Sequence, residues 1–227
     1  MTNKPTLNIN GRTYAWPKQP VVVVCIDGSQ PEYIEEAVKG GHMPFTEGLL
    51  ARGANLRADC VVPSFTNPNN LSIVTGVPPK VHGISGNYFL DPDSGEEVMM
   101  NDPKFLRTGT IFKGFHDAGA RVAIITAKDK LRRLLGHGLD FSSGRAVCFS
   151  SEKADQTNLA DHGIENAHTM VGRDIPQVYS AELSEFIFDA GVKLMQQMQF
   201  DIMYLSTTDY IQHKHAPGTS VLTNLRN

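Results

Sequence analysis

Short apolar runs alternate along the chain with segments that have helical periodicity. Strands are predicted at residues 21–26, 56–62, 122–126, 146–150 and 201–206. Helices are predicted at residues 31–38, 44–51, 69–75, 110–118 and 180–199. Strands that alternate with helices are typical of an α/β fold with a mostly parallel sheet flanked by helices. We expect one domain over residues 1–227, with residues 78–102 as an irregular excursion rich in Gly, Pro, Asn and Asp.

The amino-acid composition excludes several classes of protein. The chain has 227 residues, 41% of them hydrophobic and 20% charged, which is typical of a globular protein and excludes a disordered one. The net charge of -3 argues against a nucleic-acid partner. No apolar run reaches the ~18 residues of a membrane span, and the first twenty residues do not resemble a signal peptide. Cys25, Cys60 and Cys148 show no metal-type spacing. They are predicted to be free buried thiols of a cytoplasmic enzyme.

Polar residues follow three of the predicted strands. Asp27 follows residues 21–26, the segment Pro-Ser-Phe-Thr-Asn follows residues 56–62, and the segment Thr207-Thr208-Asp209 follows residues 201–206. Ligands of open α/β sheets bind beyond the carboxyl ends of the strands, so these residues are predicted to converge on one site. Asp27 alone fits a helix cap as well as a metal ligand.

Two further patterns suggest a metal site and a nucleophile, and both have ordinary alternatives. Asp209 and His213 share one face if they lie on a helix, where a carboxylate and an imidazole can bind one zinc ion. The alternative is a solvated helix start capped by the Asp. Thr66 precedes a predicted helix N-terminus, which favours an anion, and its hydroxyl can act as a nucleophile if a metal lowers its pKa. The alternative is an N-cap.

Several segments together resemble one family. Asp27-Gly28, the stretch Ser-Phe-Thr-Asn-Pro-Asn-Asn-Leu-Ser-Ile-Val-Thr-Gly at 64–76 and Val-His-Gly-Ile at 81–84 resemble the alkaline phosphatase superfamily. The most similar branch is the nucleotide pyrophosphatase/phosphodiesterase-like enzymes. Within it, residues 67–70, 86–89, 126–132 and 209–218 are similar to the group of hydrolases that act on phosphonoacetate. The resemblance runs from about residue 20 to residue 218 and implies an alkaline-phosphatase-like core.

The resemblance also implies a di-zinc site and a covalent mechanism. Asp27 and Thr66 would bind one Zn²⁺, and Asp209 and His213 the other. Thr66 would be the nucleophile that cleaves the carbon–phosphorus bond of phosphonoacetate. The reaction would pass through a phosphothreonine and release acetate and phosphate.

The substrate contacts are likewise implied by the resemblance. Asn87 would hold a phosphonate oxygen, and Lys128 and Lys130 would bind the substrate carboxylate. By the sequence alone, the two lysines fit a solvated helix start better. The expected partner is a small phosphonate, with no nucleic acid and no membrane, and a homodimer stays open.

One departure from the family pattern affects the expected activity. The pattern places an Asp-His pair and a further His after the segment of Asp209 and His213, and this chain has neither there. Asp161-His162 comes before that segment and is interpreted as a surface turn. We therefore expect a C-terminally truncated chain whose fold and metal site are incomplete. The alternatives are a phosphodiesterase or phosphomonoesterase of the same superfamily, or an inactive remnant.

Overall fold

The computed structural model describes residues 4–219, and its strands form three sheets. They are β1 (Leu7–Ile9), β2 (Arg12–Tyr14), β3 (Val21–Cys25), β4 (Tyr88–Leu90), β5 (Glu97–Met99), β6 (Val122–Thr126), β7 (Ala146–Ser150) and β8 (Ile202–Ser206). The central sheet is parallel, with the order β3-β8-β6-β7. The pairs β1-β2 and β4-β5 are antiparallel hairpins outside it.

Helices lie between the strands. They are α1 (Pro31–Lys39), α2 (Pro44–Arg52), α3 (Thr66–Thr75), α4 (Pro79–His82), α5 (Ile111–Asp117), α6 (Asp129–Leu135), α7 (Leu159–His162), α8 (Ala167–Val171) and α9 (Glu182–Gln197). Short 3-10 turns occur at Pro103–Phe105, Phe141–Ser143 and Ser151–Gln156. Among residues 4–219, none of these helices combines the length and the apolar character needed to cross a membrane.

The central sheet separates two hydrophobic clusters. Strands β6, β7 and β8 are buried along their whole length, which matches their nearly continuous apolar sequences. One face packs under α3, α5 and α6 through residues such as Leu71, Phe112 and Leu134. The other face packs under α9, whose Phe186 and Ile187 belong to its buried stripe. The predicted α/β fold with a parallel sheet is thus confirmed.

Two sequence predictions about regular structure are wrong. Residues 56–62 form no strand, and Leu56 and Val62 at its ends are 88% and 95% exposed. The segment pairs with no strand of the described chain, and the Val61 N–H donates instead to Asn69 Oδ1 at 3.0 Å. The excursion at 78–102 is not irregular throughout, because it contains α4 and the β4-β5 hairpin. In addition, Cys60 is exposed and Cys25 is half-buried, so of the three thiols predicted to be buried only Cys148 is.

The buried His82 joins α4 to α3. Ser72 donates its hydroxyl hydrogen to the Pro68 carbonyl at 2.7 Å, so the His82 Nε2–H is the donor in the 3.0 Å contact with Ser72 Oγ. His82 Nδ1 accepts from the Ile84 N–H at 3.1 Å. Burial lowers the pKa of His82 from 6.5 to about 4. The neutral imidazole is therefore the form that fits this site.

Acidification is expected to destabilise the fold through His82. Between pH 6.5 and about 4, the unfolded state binds a proton at this residue and the folded state does not. Stability is therefore present above that range and is lost as the pH falls through it. Urea unfolding across this range should show a smaller pH slope for His82→Gln than for the unmodified protein. The exposed His137→Gln is the matched control, and an unchanged slope in His82→Gln would contradict the assignment.

Candidate active site

The candidate site lies where the parallel strands of the central sheet end. Asp27 follows β3, Lys128 follows β6, and Thr207 follows β8 directly. The Thr207 N–H donates to the Cys25 carbonyl at 3.0 Å, and the Asp27 N–H donates to Thr207 Oγ1 at 3.3 Å. These bonds hold the loops after β3 and β8 together. This is the edge of the sheet at which the sequence predicted a site.

The Thr66 hydroxyl contacts a carboxylate rather than capping its own helix. Thr66 Oγ1 donates to Asp27 Oδ2 at 3.0 Å. The N-cap of α3 is Phe65, which has no side-chain capping bond. The free N–H groups in the first turn of this ten-residue helix therefore lie beside a hydroxyl that is bound to a carboxylate. Such a helix end is suited to an anion.

Asp209 and His213 form a second pair of candidate ligands. They lie in a turn rather than on a regular helix, but the His213 N–H still donates to the Asp209 carbonyl at 3.0 Å. This single helical turn brings His213 Nε2 to 2.8 Å from Asp209 Oδ2. Gly28 allows the segment to come close, because its φ is +68° and an added Cβ would lie 3.1 Å from Asp209 Cβ.

The electrostatics of these groups favour a cation. Burial raises the pKa of Asp27, and the nearby Asp209 carboxylate raises it further. The Thr66 hydroxyl and the Lys128 ammonium oppose this shift, and Lys128 Nζ lies 3.9 Å from Asp209 Oδ1. Two carboxylates in a partly buried site repel each other, so a positive ion between them would relieve the repulsion.

Carboxylate, imidazole and hydroxyl donors are chemically suited to a divalent metal. Within residues 4–219, no three His, Cys, Asp or Glu side chains form one metal-binding group. Asp27 with Thr66 and Asp209 with His213 are thus two pairs of donors. Each pair fits a divalent ion in chemistry and would supply part of its coordination shell.

A cavity of about 220 Å³ opens beside Asp27 and Thr66. Asn87, Lys128 and Lys130 line the same cavity. The Asn87 Oδ1 atom is buried and has no hydrogen-bond partner among the described residues, so this amide can bind a polar group of a ligand. The structure therefore brings the predicted nucleophile, the predicted phosphonate contact and both predicted lysines to one cavity.

Two aromatic residues of the cavity were not predicted as site residues. Tyr88 and Tyr179 also line it, and Lys128 Nζ lies 4.7 Å from the centre of the Tyr179 ring. Tyr88 is adjacent to Asn87 and belongs to the same family-like segment, residues 86–89. Tyr179 carries no recognisable pattern, because its position depends on how the loops pack. Thr208 also lines the cavity, as expected for one of the polar residues that follow residues 201–206.

Asp161 and His162, interpreted as a surface turn, end the short helix α7. The Asp161 N–H donates to the Asn158 side chain at 2.9 Å, and His162 Nδ1 accepts from the Asn158 N–H at 3.3 Å. Neither residue lines the cavity that holds Thr66. Their contacts are those of a local helix cap.

Comparisons with known proteins relate this chain to phosphodiesterases and pyrophosphatases. A sequence model of the family described as type I phosphodiesterase/nucleotide pyrophosphatase matches residues 21–225. An uncharacterized pyrophosphatase/phosphodiesterase of Schizosaccharomyces pombe is 34% identical over 88 residues, which cover 37% of this chain and 17% of that protein.

Solved structures extend the likeness to the whole described fold. Crystal structures of phosphonoacetate hydrolase from Sinorhizobium meliloti, in complex with phosphonoformate and with phosphonoacetate, are 60% identical with a TM-score of 0.94. The match covers 96% of this chain and 53% of that one, so this chain spans about half the length of that neighbour. Mouse ectonucleotide pyrophosphatase/phosphodiesterase 5 shares the fold at 16% identity and a TM-score of 0.56, over 90% of this chain and 48% of that one.

Proposed function

The chain belongs to the type I phosphodiesterase/nucleotide pyrophosphatase family, and on this premise we propose that it is a zinc-dependent hydrolase of phosphonoacetate. The reaction would break the carbon–phosphorus bond and yield acetate and phosphate. The observation that carries the proposal is the shared cavity of Thr66, Asn87, Lys128 and Lys130. The 60% identity to an enzyme solved with phosphonoacetate supports the same substrate.

The size and charge of the cavity support a small, doubly anionic substrate. Its volume of about 220 Å³ is below the roughly 300–1,000 Å³ of pockets for drug-sized ligands. A nucleoside diester would need more room than this. The two ammonium groups provide charge for a carboxylate in addition to the anion site at the start of α3. A simple phosphate ester would have no second anionic group for them.

The proposed metal ligands are Asp27 and Thr66, which line the cavity, and Asp209 and His213, which follow β8. Asp27 with Thr66 and Asp209 with His213 would hold two Zn²⁺ ions. When bound, the ions would lower the pKa of the Thr66 hydroxyl and offset negative charge on the phosphonate. The donors fit such ions in chemistry, as described above.

The chain's own residues would then direct the substitution at phosphorus. Asp27 Oδ2 orients the Thr66 hydroxyl, which would lose its proton to solvent as its oxygen attacks phosphorus and the carbon–phosphorus bond breaks. The N–H groups at the start of α3 and the Nδ2–H group of Asn87 would donate to the phosphoryl oxygens and stabilise them.

Departure of the leaving group is the harder step, because the group leaves as a carbanion. The departing carbanion is stabilised as an enediolate of its carboxylate, whose charge would face Lys128 and Lys130. A proton from water converts it to acetate. A second water hydrolyses the phosphothreonine at Thr66 and releases phosphate.

The expected location is the cytoplasm and the expected partner is a small phosphonate. Cys25, Cys60 and Cys148 are free thiols, which supports a reducing compartment.

Phosphate release from phosphonoacetate by the zinc-loaded protein tests the proposal. We expect turnover that a chelator abolishes and added zinc restores. A nitrophenyl phosphodiester assayed in parallel tests the alternative, because family membership also allows phosphodiesterase activity. Preference for the diester would replace the proposed substrate, and no turnover of either compound would favour a non-catalytic role.

A further inference from the structure

The side chain of Asn70 connects the helix of Thr66 to the central strand β8. Asn70 is 1% exposed, and its Nδ2 donates to the Thr66 carbonyl at 3.0 Å. Its Oδ1 accepts from the Tyr204 hydroxyl at 2.8 Å and from Ser206 Oγ at 3.4 Å. The reversed amide would place Oδ1 against the Thr66 carbonyl oxygen, so the donor to Thr66 fixes the orientation.

Helix stability alone does not account for an Asn at this position. Asn is a weaker helix former than Leu, and burying an amide is costly unless it is hydrogen-bonded. The neighbouring Leu71 and Val74 already provide the apolar contacts of α3 with the sheet. The amide instead joins three polar groups, of which Thr66 belongs to the helix and Tyr204 and Ser206 belong to β8.

Strand β8 presents two hydroxyl groups to the Asn70 amide. Tyr204 and Ser206 are two positions apart on β8, so both side chains point to the same face of the sheet. The Tyr204 ring packs edge-on against Phe112 with the ring centres 5.4 Å apart, which fixes where its hydroxyl lies. Ser206 is also paired with Cys25 of β3, two residues before Asp27.

We propose that Asn70 is a positioning residue, which locks the first turn of α3 to β8 and thereby sets the Thr66 hydroxyl against Asp27. This inference rests on the proposed function, since it assigns Thr66 as the nucleophile. Strand β8 then fixes the positions of both residues in the 3.0 Å contact between Thr66 Oγ1 and Asp27 Oδ2. Asp27 is tied to β8 through β3, and Thr66 is tied to it through Asn70.

Precise placement of a nucleophile has a large effect on rate. A displacement of about 1 Å can cost on the order of 10²-fold in turnover. A looser first turn should therefore lower kcat while substrate binding, which depends on Asn87 and the two lysines, stays nearly constant. A residue with a merely structural role would not separate kcat from KM in this way.

The test removes the strand side of the network and leaves Asn70 in place. Tyr204→Phe keeps the ring packing on Phe112 and deletes one hydroxyl, and Ser206→Ala deletes the other. For the double variant we expect kcat for phosphonoacetate to fall roughly tenfold or more, with KM changed less than about twofold. Hydrogen exchange at the Asn69 and Asn70 amides should become at least about fivefold faster.

Thr75→Val is the matched control, because Thr75 is buried on the same helix and donates to the Leu71 carbonyl at 2.6 Å. It should destabilise α3 without changing exchange in the first turn or separating kcat from KM. If the double variant behaves like Thr75→Val in both measurements, the positioning role is overturned. If the unmodified protein shows no turnover, the proposed function fails, and first-turn exchange alone then supports or overturns the link between Asn70 and β8.

Discussion

Thr66→Ala is expected to lower phosphate release from phosphonoacetate by roughly 10³-fold or more, as removal of a catalytic nucleophile does in other enzymes. The Thr66 hydroxyl is the group that meets Asp27 Oδ2 at the start of α3. An alanine leaves no oxygen to attack phosphorus. Initial rates with the zinc-loaded protein provide the measurement, and mass spectrometry of acid-quenched reactions should show a phosphorylated peptide only where a hydroxyl remains.

Two control variants make this result specific. Thr66→Ser keeps a hydroxyl at the same position and should retain part of the activity. Thr169→Ala removes a hydroxyl from the exposed face of α8 and should change nothing. Activity above a few per cent in Thr66→Ala would show that another group attacks phosphorus.

The strands buried on both faces could be predicted from the sequence alone. Residues 122–126 and 146–150 were predicted with the bounds that β6 and β7 have. Their apolar runs are nearly continuous, and a buried parallel strand needs just that pattern whatever its neighbours are. The signal is local, so no knowledge of the tertiary structure was required.

The segment 56–62 shows where such local reasoning fails. Its apolar residues Leu56 and Val62 flank the polar Arg57 and Asp59, and both apolar ends are exposed. A strand needs a neighbour for its backbone groups, and the described chain places none beside this segment. Whether a segment pairs with a neighbouring strand depends on the whole sheet, so the sequence of these seven residues alone cannot predict it.

The pairing of Asp209 with His213 was predicted for a reason that was only partly correct. The spacing of four needs a single helical turn, and one turn is what the structure contains. Sequence spacing cannot distinguish one turn from a longer helix, because both bring residues four apart to the same side. The downstream Pro217 and Gly218 are poor residues for continuing a helix.

The convergence of the site followed from topology, and its finer structure did not. Asp27, Thr66 and Asp209 were expected together because each was predicted to follow a strand. That reason holds for Asp27 and Asp209 but fails for Thr66, because residues 56–62 form no strand. The network of Asn70 with Tyr204 joins residues 134 positions apart, and no periodicity links them. The placement of Lys128 and Lys130 was expected from family resemblance alone, and the cavity now gives it a geometric basis.

From that geometry we expect the double variant Lys128→Ala, Lys130→Ala to lose carbon–phosphorus cleavage much more than phosphate-ester hydrolysis. Each charge-assisted contact with the substrate is worth roughly 1.5–3 kcal/mol, so losing two should lower kcat/KM for phosphonoacetate by roughly 10²–10⁴-fold. A nitrophenyl phosphate ester has a stable leaving group and no carboxylate, so its hydrolysis should fall much less. The ratio of the two rates is the measurement.

The ester also controls for damage to the metal-binding residues. Lys128 Nζ lies 3.9 Å from Asp209 Oδ1, so its removal changes the charge beside a candidate metal ligand as well as the substrate pocket. A loss caused by that change would slow both substrates alike. Lys153→Ala, which removes an ammonium 3.7 Å from Asp129 Oδ2 and outside the cavity lining, is the matched control. Equal losses on both substrates in the double variant would mean that the lysines do not recognise the carboxylate, and the preference for phosphonoacetate would need another origin.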